Sequence, residues 1–240
     1  MRHVVADLHI HTVLSPCAAR EMTPEAIVAE AVRKGLHMIA ICDHNSSSNA
    51  AAVRRAAASE LVVLAGIEVT SAEEAHVLGI FPDEKAAGAV AEVVRSRLPL
   101  GGEEQEQELW GPDGEPAGRE TRMLVASSGL VLGSVVELIH ARGGLAVAAH
   151  VDRRSFSVIG QLGFLPEGVR FDAAEISAAG VKRGRVALHA GLGLPLLSAS
   201  DAHSLEEIGD GATDLEVREP SFSELALALR GVKGRRLRCA

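Results

Sequence analysis

The sequence contains no tyrosine, one tryptophan (Trp110) and five phenylalanines. Single-stranded nucleic acid is commonly held on aromatic platforms, so this scarcity counts against that class of ligand. A basic excess is missing as well. The formal net charge is −8, which leaves no cationic footprint for gripping long nucleic acid. Divalent cations bound in a cleft would reverse the field there. Cys17, Cys42 and Cys239 stand far apart with no CxxC pair, which excludes a disulfide scaffold and a thiolate metal cluster. No apolar run reaches the roughly 18 residues of a membrane span. The opening MRHVVADL has neither the apolar core nor the small-residue cleavage site of a signal peptide. A reducing cytoplasm is the expected compartment.

What is present alternates. Apolar runs are followed by helix-like segments through most of the chain, the pattern of βα units around a largely parallel sheet. VVADLHIHT reads as a first strand. TPEAIVAEAVRKG reads as the helix after it, with Thr23 as cap, Pro24 in the first turn and Gly35 just past the end. HMIAICDH, LVVLAGIEVTS, HVLGIF, LAVAAH, FDAAEIS, LPLLSASD and ATDLEV read as further strands. SVVELIHARGG offers Ser134 and Glu137 as a capping box, and SFSELALALRG offers Ser221 and Glu224 as another. With 47% hydrophobic residues, the 240-residue chain suits one α/β barrel. Residues 1–240 are expected to form a single domain. An inserted helix and polar loop at about 83–133, carrying a PDG turn signal, interrupts the rhythm over the barrel mouth.

Six of the ten histidines lie at the downstream ends of the apolar runs, in company with acidic residues. They are His9 and His11, His44 after Asp43, His76, His150, and His203 after Asp201; Glu68 and Glu175 end two further runs. Residues two apart on a strand point the same way, so His9 and His11 can grip one cation from a single strand. A lone HxH is weak. Its recurrence at strand after strand describes a metal site at the mouth of an α/β fold, and nitrogen and carboxylate donors suit Zn, Mn or Fe.

DLHIHT, the DH of CDHN, GIEVTS, the H of AHVLG, AAHVDR and SASDAH occur in this order. Together they resemble the motifs of the PHP (polymerase and histidinol phosphatase) family, over nearly the whole chain. The resemblance implies a distorted (β/α)7 TIM-like barrel, two or three divalent metal ions at the C-terminal ends of the strands, and phosphoester hydrolysis. It further implies that His9, His11, Glu68 and Asp201 hold a first metal. Glu68 would bridge to a second held by His76 and His150, and His44 and His203 would face a third position. Many members carry SDG shortly after the HxH motif. Here the stretch is SPC, with Pro16 in the aspartate's place and Cys17 beyond it. Either the third position is weak or empty, or Cys17 enters as a softer ligand. The preferred reading is a two-metal enzyme in which His44 and His203 serve the substrate phosphate or the leaving group. Arg153 in AAHVDR matches an arginine that related phosphatases present to phosphate, which a guanidinium binds in bidentate fashion.

Other residues divide between roles. Arg154, Lys182, Arg183 and Arg185 read first as solvated loop charge. Glu175 is either a partner for a metal-bound histidine or a structural acceptor. Asp43 is read as a loop-bonding group, Cys42 as a small core residue, and His3, His37, His140 and His189 as structural or surface groups. Ser46 to Ser48 either meet phosphate at a helix start or act only as caps.

The expected protein is thus a cytoplasmic metal-dependent phosphoric ester hydrolase. Glu68, Asp201, His203 and Arg153 would carry the catalytic work, with a hydroxide generated at the metals attacking phosphorus. A compact mouth and acidic surface direct the expectation to a small phosphorylated metabolite or nucleotide and away from long nucleic acid and membranes. Three alternatives stand beside it. They are a 5′-directed exonuclease or oligonucleotidase of the same family, a non-catalytic metal-binding regulatory module, and hydrolysis of a non-phosphate bond.

Overall fold

Short apolar runs rich in Val, Ile, Leu and Ala become strands whose alternate residues pack on opposite faces. The computed structural model describes residues 1–102 and 107–238, so Cys239 lies outside the described residues. The strands are β1 (Arg2–Ile10), β2 (Met38–Ile41), β3 (Val62–Thr70), β4 (His76–Phe81), β5 (Gln107–Trp110), β6 (Pro116–Glu120), β7 (Leu145–Ala148), β8 (Ala173–Ser177), β9 (Leu196–Ala199), β10 (Thr213–Val217) and β11 (Arg236–Arg238). The helices are α1 (Pro24–Arg33), α2 (Ala50–Ala57), α3 (Glu84–Arg95), α4 (Leu132–His140), α5 (Val158–Leu162), α6 (Ala178–Lys182), α7 (Val186–His189) and α8 (Phe222–Leu229).

Seven strands make the barrel, in the order β1-β2-β3-β4-β7-β8-β9. All neighbours run parallel except at β4, which is antiparallel to both β3 and β7. The ring closes at the mouth, where Ala202 just past β9 bridges Ile10. His11 N–H donates to the Ala202 carbonyl at 3.0 Å, and Ala202 N–H donates to the His9 carbonyl at 3.3 Å. At the other end β1 pairs instead with antiparallel β10, from Arg2 opposite Val217 to Ala6 opposite Thr213. The fold is the distorted (β/α)7-type barrel expected from the motifs.

The barrel interior is filled by Val4, Ala6, Leu8, Met38, Ala40, Leu64, Leu78, Val147, Ala173 and Leu197. Ile10, Ile39, Ile41 and Ile67 face outward instead, against Ile27, Val53, Val90 and Ile139 of the helices. Leu8 and Ile10 are two apart yet lie on opposite sides of the barrel wall. The phase slips between them, where the pairing of β1 with β2 also shifts register. That slip turns His9 and His11 inward.

Several local expectations are refined. Thr23 caps α1 by accepting from Ala26 N–H, and Gly35 continues past its end at φ +73°. His76 opens β4 rather than closing it, because β3 and β4 form a hairpin and not a βα unit. Ser134 does not cap α4: the helix starts one turn earlier at Leu132, and the Glu73 carboxylate accepts from Leu132 N–H in place of a local cap. Ser221 caps α8, but Glu224 turns away to pair with Arg235 and to accept from Arg218 N–H, so only half of that box forms. Between β4 and α4, α3 and the β5–β6 hairpin rise beside the mouth, and residues 103–106 of this stretch lie outside the described residues. The Asn49 amide holds the hairpin, accepting from Trp110 N–H at 2.9 Å and donating to the Glu108 carbonyl at 3.3 Å. No helix among the described residues is long and apolar enough to cross a membrane.

Candidate metal centre

At the mouth the six histidines gather around Glu68, whose side chain has no solvent exposure. His76 Nδ1 lies 2.8 Å and His150 Nε2 3.2 Å from Glu68 Oε1, while His44 Nδ1 lies 2.9 Å from Oε2. His9 Nε2 and His11 Nε2 stand 3.5 and 3.6 Å from the same carboxylate. Asp201 Oδ1 comes from the far side of the seam, 3.0 Å from His11 Nε2 and 3.3 Å from His9 Nε2. The donors fall into three sets, each with its atoms within 4.8 Å of one another: His9, His11, Glu68 and Asp201; His44, Glu68 and His76; His11, His44 and His203. Shared members join the sets. Glu68 belongs to the first two, and His11 and His44 link both to the third.

Buried partners fix how each ring is presented. His9 Nδ1 faces Glu175 Oε2 at 2.9 Å, and Glu175 is fully buried. His11 Nδ1 faces the Ser15 hydroxyl at 2.8 Å. Ser15 gives its own proton to Asp43 Oδ1 at 2.7 Å, so it accepts from His11. Asp43 also receives Thr12 N–H and the Thr12 hydroxyl, the loop-bonding role read for it. His203 Nδ1 donates to the Asp201 carbonyl at 2.8 Å, and the ring also meets the Cys17 thiol. Backbone strain collects here too: His150 and Asp201 hold φ of +28° and +54°, and Asn45 beside His44 holds +51°.

The charges are strongly coupled. Burial opposes a charged His9 ring, yet Glu175, Asp201 and Glu68 outweigh it and lift its pKa well above the ordinary value. Burial likewise opposes the Glu68 carboxylate, but His76, His9 and His44 hold it well below the usual range. His44 is pushed up to about 10, chiefly by Glu68 acting against burial. The Cys17 thiol, despite partial burial, is drawn down to about 6 by His203 and His44.

These contacts fit a cation better than a network of hydrogen bonds. With their Nδ1 atoms turned to Glu175 and Ser15, His9 and His11 bring their Nε2 atoms within 3.1 Å of one another. His44 Nδ1 and Glu68 Oε2 are 2.9 Å apart and buried, yet neither makes a hydrogen bond, and buried His150 Nδ1 has no partner. Imidazole and carboxylate donors suit a borderline divalent ion, which when bound would polarise a phosphoryl oxygen as a Lewis acid. Above the cluster opens a cavity of about 640 Å³. Arg153, Arg154, Arg183 and Arg185 line it, and Arg153 pairs with Asp201 Oδ2.

The PHP domain signature matches residues 7–165, more than half of the chain. The chain belongs to the PHP domain family. A second signature, PHP-associated, matches residues 187–232. No curated protein sequence matches this PHP domain. Among solved structures it is similar to the lesion-specific endonuclease EndoQ from Pyrococcus furiosus, with a TM-score of 0.72 and 21% identity over 98% of this chain and 58% of the endonuclease. Endonuclease Q in complex with a 27-mer duplex, an abasic lesion at its active site, gives a TM-score of 0.69 at 21% identity and the same coverage. A protein from Bifidobacterium adolescentis described as a metal-dependent phosphoesterase gives 0.55 at 19% identity, over 82% of this chain and 87% of that one. The PHP domain therefore spans 58% of the endonuclease's length, and it carries the fold of a metal-dependent phosphoesterase.

One expectation is corrected by these likenesses. The sequence reading turned toward a small phosphorylated partner and away from long nucleic acid, but the fold shared over 98% of the chain is one found around a 27-mer duplex. Net charge misled because it is a sum over the whole surface. The −8 total coexists with four arginines gathered at one mouth, and the field a ligand meets is local.

The structure brings His9, His11, His44, Glu68, His76, His150, Asp201 and His203 into one cluster. His44 stands with Glu68 and His76, and His150 touches the same carboxylate. His3, His37, His140 and His189 lie apart, bonded to Asp214, Val5 N–H, Asp172 and the Arg185 carbonyl. Ser46 to Ser48 face a different pocket, with Glu84, Arg95 and Glu120. Sequence reading missed three residues. Ser15 orients His11. Asp152 receives both Ser177 N–H and the Ser177 hydroxyl, latching the arginine loops together. Phe156 stacks on His76. Only Ser15, four residues after His11, carried any signal in its spacing.

Proposed function

We propose that this PHP domain is a metal-dependent phosphoesterase that cleaves phosphodiester bonds in nucleic acid. The observation that carries this reading is the wall of Arg153, Arg154, Arg183 and Arg185 facing the His–Glu–Asp cluster across one cavity. A phosphate held between cations on both sides has its charge met from both, and guanidinium groups bind two of its oxygens at once. Four such groups exceed what a single phosphate requires and suit successive phosphates of a strand.

In this reading His9, His11, Glu68 and Asp201 hold one divalent ion, and His44, His76 and His150 join Glu68 around a second, with Zn or Mn the fitting ions. Asp201 Oδ2 orients Arg153 toward the cavity. His203, with its Nδ1 proton committed to the Asp201 carbonyl, presents Nε2 to the leaving oxygen or to a third cation. The SPC segment places Cys17 rather than an aspartate beside His44 and His203.

The test is cleavage of single-stranded, duplex and abasic oligonucleotides by Mn- and Zn-supplemented protein, alongside Glu68→Gln. Cleavage that needs added metal and vanishes in the variant supports the reading. Intact turnover of a small phosphomonoester with no cleavage of any oligonucleotide would overturn it.

A further inference from the structure

We propose that Phe156 is a stacking platform for a nucleobase next to the scissile phosphate, an inference that rests on the nucleic-acid reading above. The chain has only six Phe and Trp side chains, and this one is 45% exposed at the lip of the cavity over the metal cluster. Its ring packs on His76 with centroids 4.9 Å apart and planes inclined by 22°. One face is thereby occupied, and the exposed area is the opposite face and edge.

The loop holds Phe156 there against its own preference. Its backbone sits at φ +58°, a conformation that is uncommon and strained for a bulky side chain. Two bonds keep it in place. The Phe156 carbonyl accepts from His76 N–H at 2.8 Å, and the Ser157 hydroxyl donates to the Arg153 carbonyl at 2.6 Å. Ser157 also caps α5. A strained backbone and an apolar ring left open to water both cost stability, and a ligand that covers the ring recovers the second cost.

The neighbours specify which ligand. Arg153 and Arg154 lie three and two residues away on the same loop and line the same cavity. A flat apolar face beside paired guanidinium groups matches the two halves of a nucleotide, its base and its phosphate. Every base has a π-face, so stacking of this kind tolerates sequence. The low aromatic content of the chain therefore does not exclude a platform, since one ring in the right place suffices.

The competing role for Phe156 is a lid that shields His76, and the two roles differ in what they sense. The experiment measures anisotropy of labelled short single strands bound by wild type, Phe156→Leu and Phe156→Trp. Each is compared on a base-bearing strand and on a base-free sugar-phosphate strand of equal length. Phe156→Leu is expected to bind the base-bearing strand roughly 5- to 150-fold more weakly, to leave the base-free strand unchanged, and Phe156→Trp to restore wild-type binding. Equal losses on both strands, or none on either, would overturn the platform while the nucleic-acid reading stood. No binding of either strand by wild type would sink both.

Discussion

Glu175→Gln isolates the part played by a buried carboxylate that faces a metal-cluster histidine without itself belonging to a donor set. Glu175 is fully buried, accepts from His9 Nδ1 at 2.9 Å and from His150 N–H at 3.2 Å. Glutamine keeps the shape and one accepting oxygen but removes the charge that makes His9 basic. Partners of this kind tune metal affinity by about 10- to 100-fold, or about 1.4–2.7 kcal/mol. The amide should fall near the lower bound. Glu175→Ala should reach the upper one and also destabilise the fold by about 1–3 kcal/mol, because it strands a buried donor. Chelator competition with Mn and Zn measures the affinity, and urea unfolding of the metal-free proteins separates the folding cost. Wild-type affinity in both variants would refute the idea that Glu175 acts through His9.

Three further outcomes are expected. In the metal-free protein His44, with a pKa of about 10, holds a proton at pH 7, and Glu175, Asp201 and Glu68 lift His9 well above its ordinary value, so metal binding must expel protons. Titration calorimetry in two buffers of different ionisation enthalpy should show proton release and an affinity that rises with pH; heats independent of buffer would contradict this. The Cys17 thiol, drawn down to about 6, should be alkylated at nearly full rate at pH 7 and more slowly as pH falls below 6. Peptide mapping should find buried Cys42, whose thiol burial pushes up, unmodified over the same range. Gly66→Ala would set a Cβ 2.5 Å from Cys42 Sγ and 2.8 Å from the Ile41 carbonyl, an overpacking worth about 1–3 kcal/mol that a lowered urea midpoint would register.

The legible and illegible parts of this protein divide by range. His9, His11, His44, Glu68, His150 and Asp201 were readable because each ends a parallel strand, and strand ends in a barrel converge on one mouth whatever the intervening sequence. His76 was readable by residue type but not by position, since the short link between β3 and β4 makes a hairpin in which it opens its strand instead of ending it. The inward turn of His9 and His11 was hidden for another reason. Strict alternation would place them opposite Leu8, and only the register slip against β2 corrects the phase. The failed cap at Ser134 has a tertiary cause, because Glu73 from a different turn satisfies the helix start. Of the arginine wall, Arg153 was legible as a phosphate ligand, while Arg154, Arg183 and Arg185 were visible only as scattered loop charge. Arg153 and Arg185 are 32 positions apart in sequence, and the Asp152–Ser177 contact that unites their loops has no sequence period.

The seam between Ile10 and Ala202 also bears on how the chain comes to be folded during synthesis. β1 is made before the other strands of the barrel, but one of its edges finds its partners only when Ala202 and β10 have been made, some two hundred residues later. Until then a strand of apolar and histidine side chains waits half-paired, a state open to misassociation. The contact between His11 and Asp201 spans 190 residues, and closing so long a loop is slow. A divalent ion that both residues would share acts on this final step. It would fasten β1 to the segment after β9, so metal supply would govern the yield of folded protein as well as its chemistry.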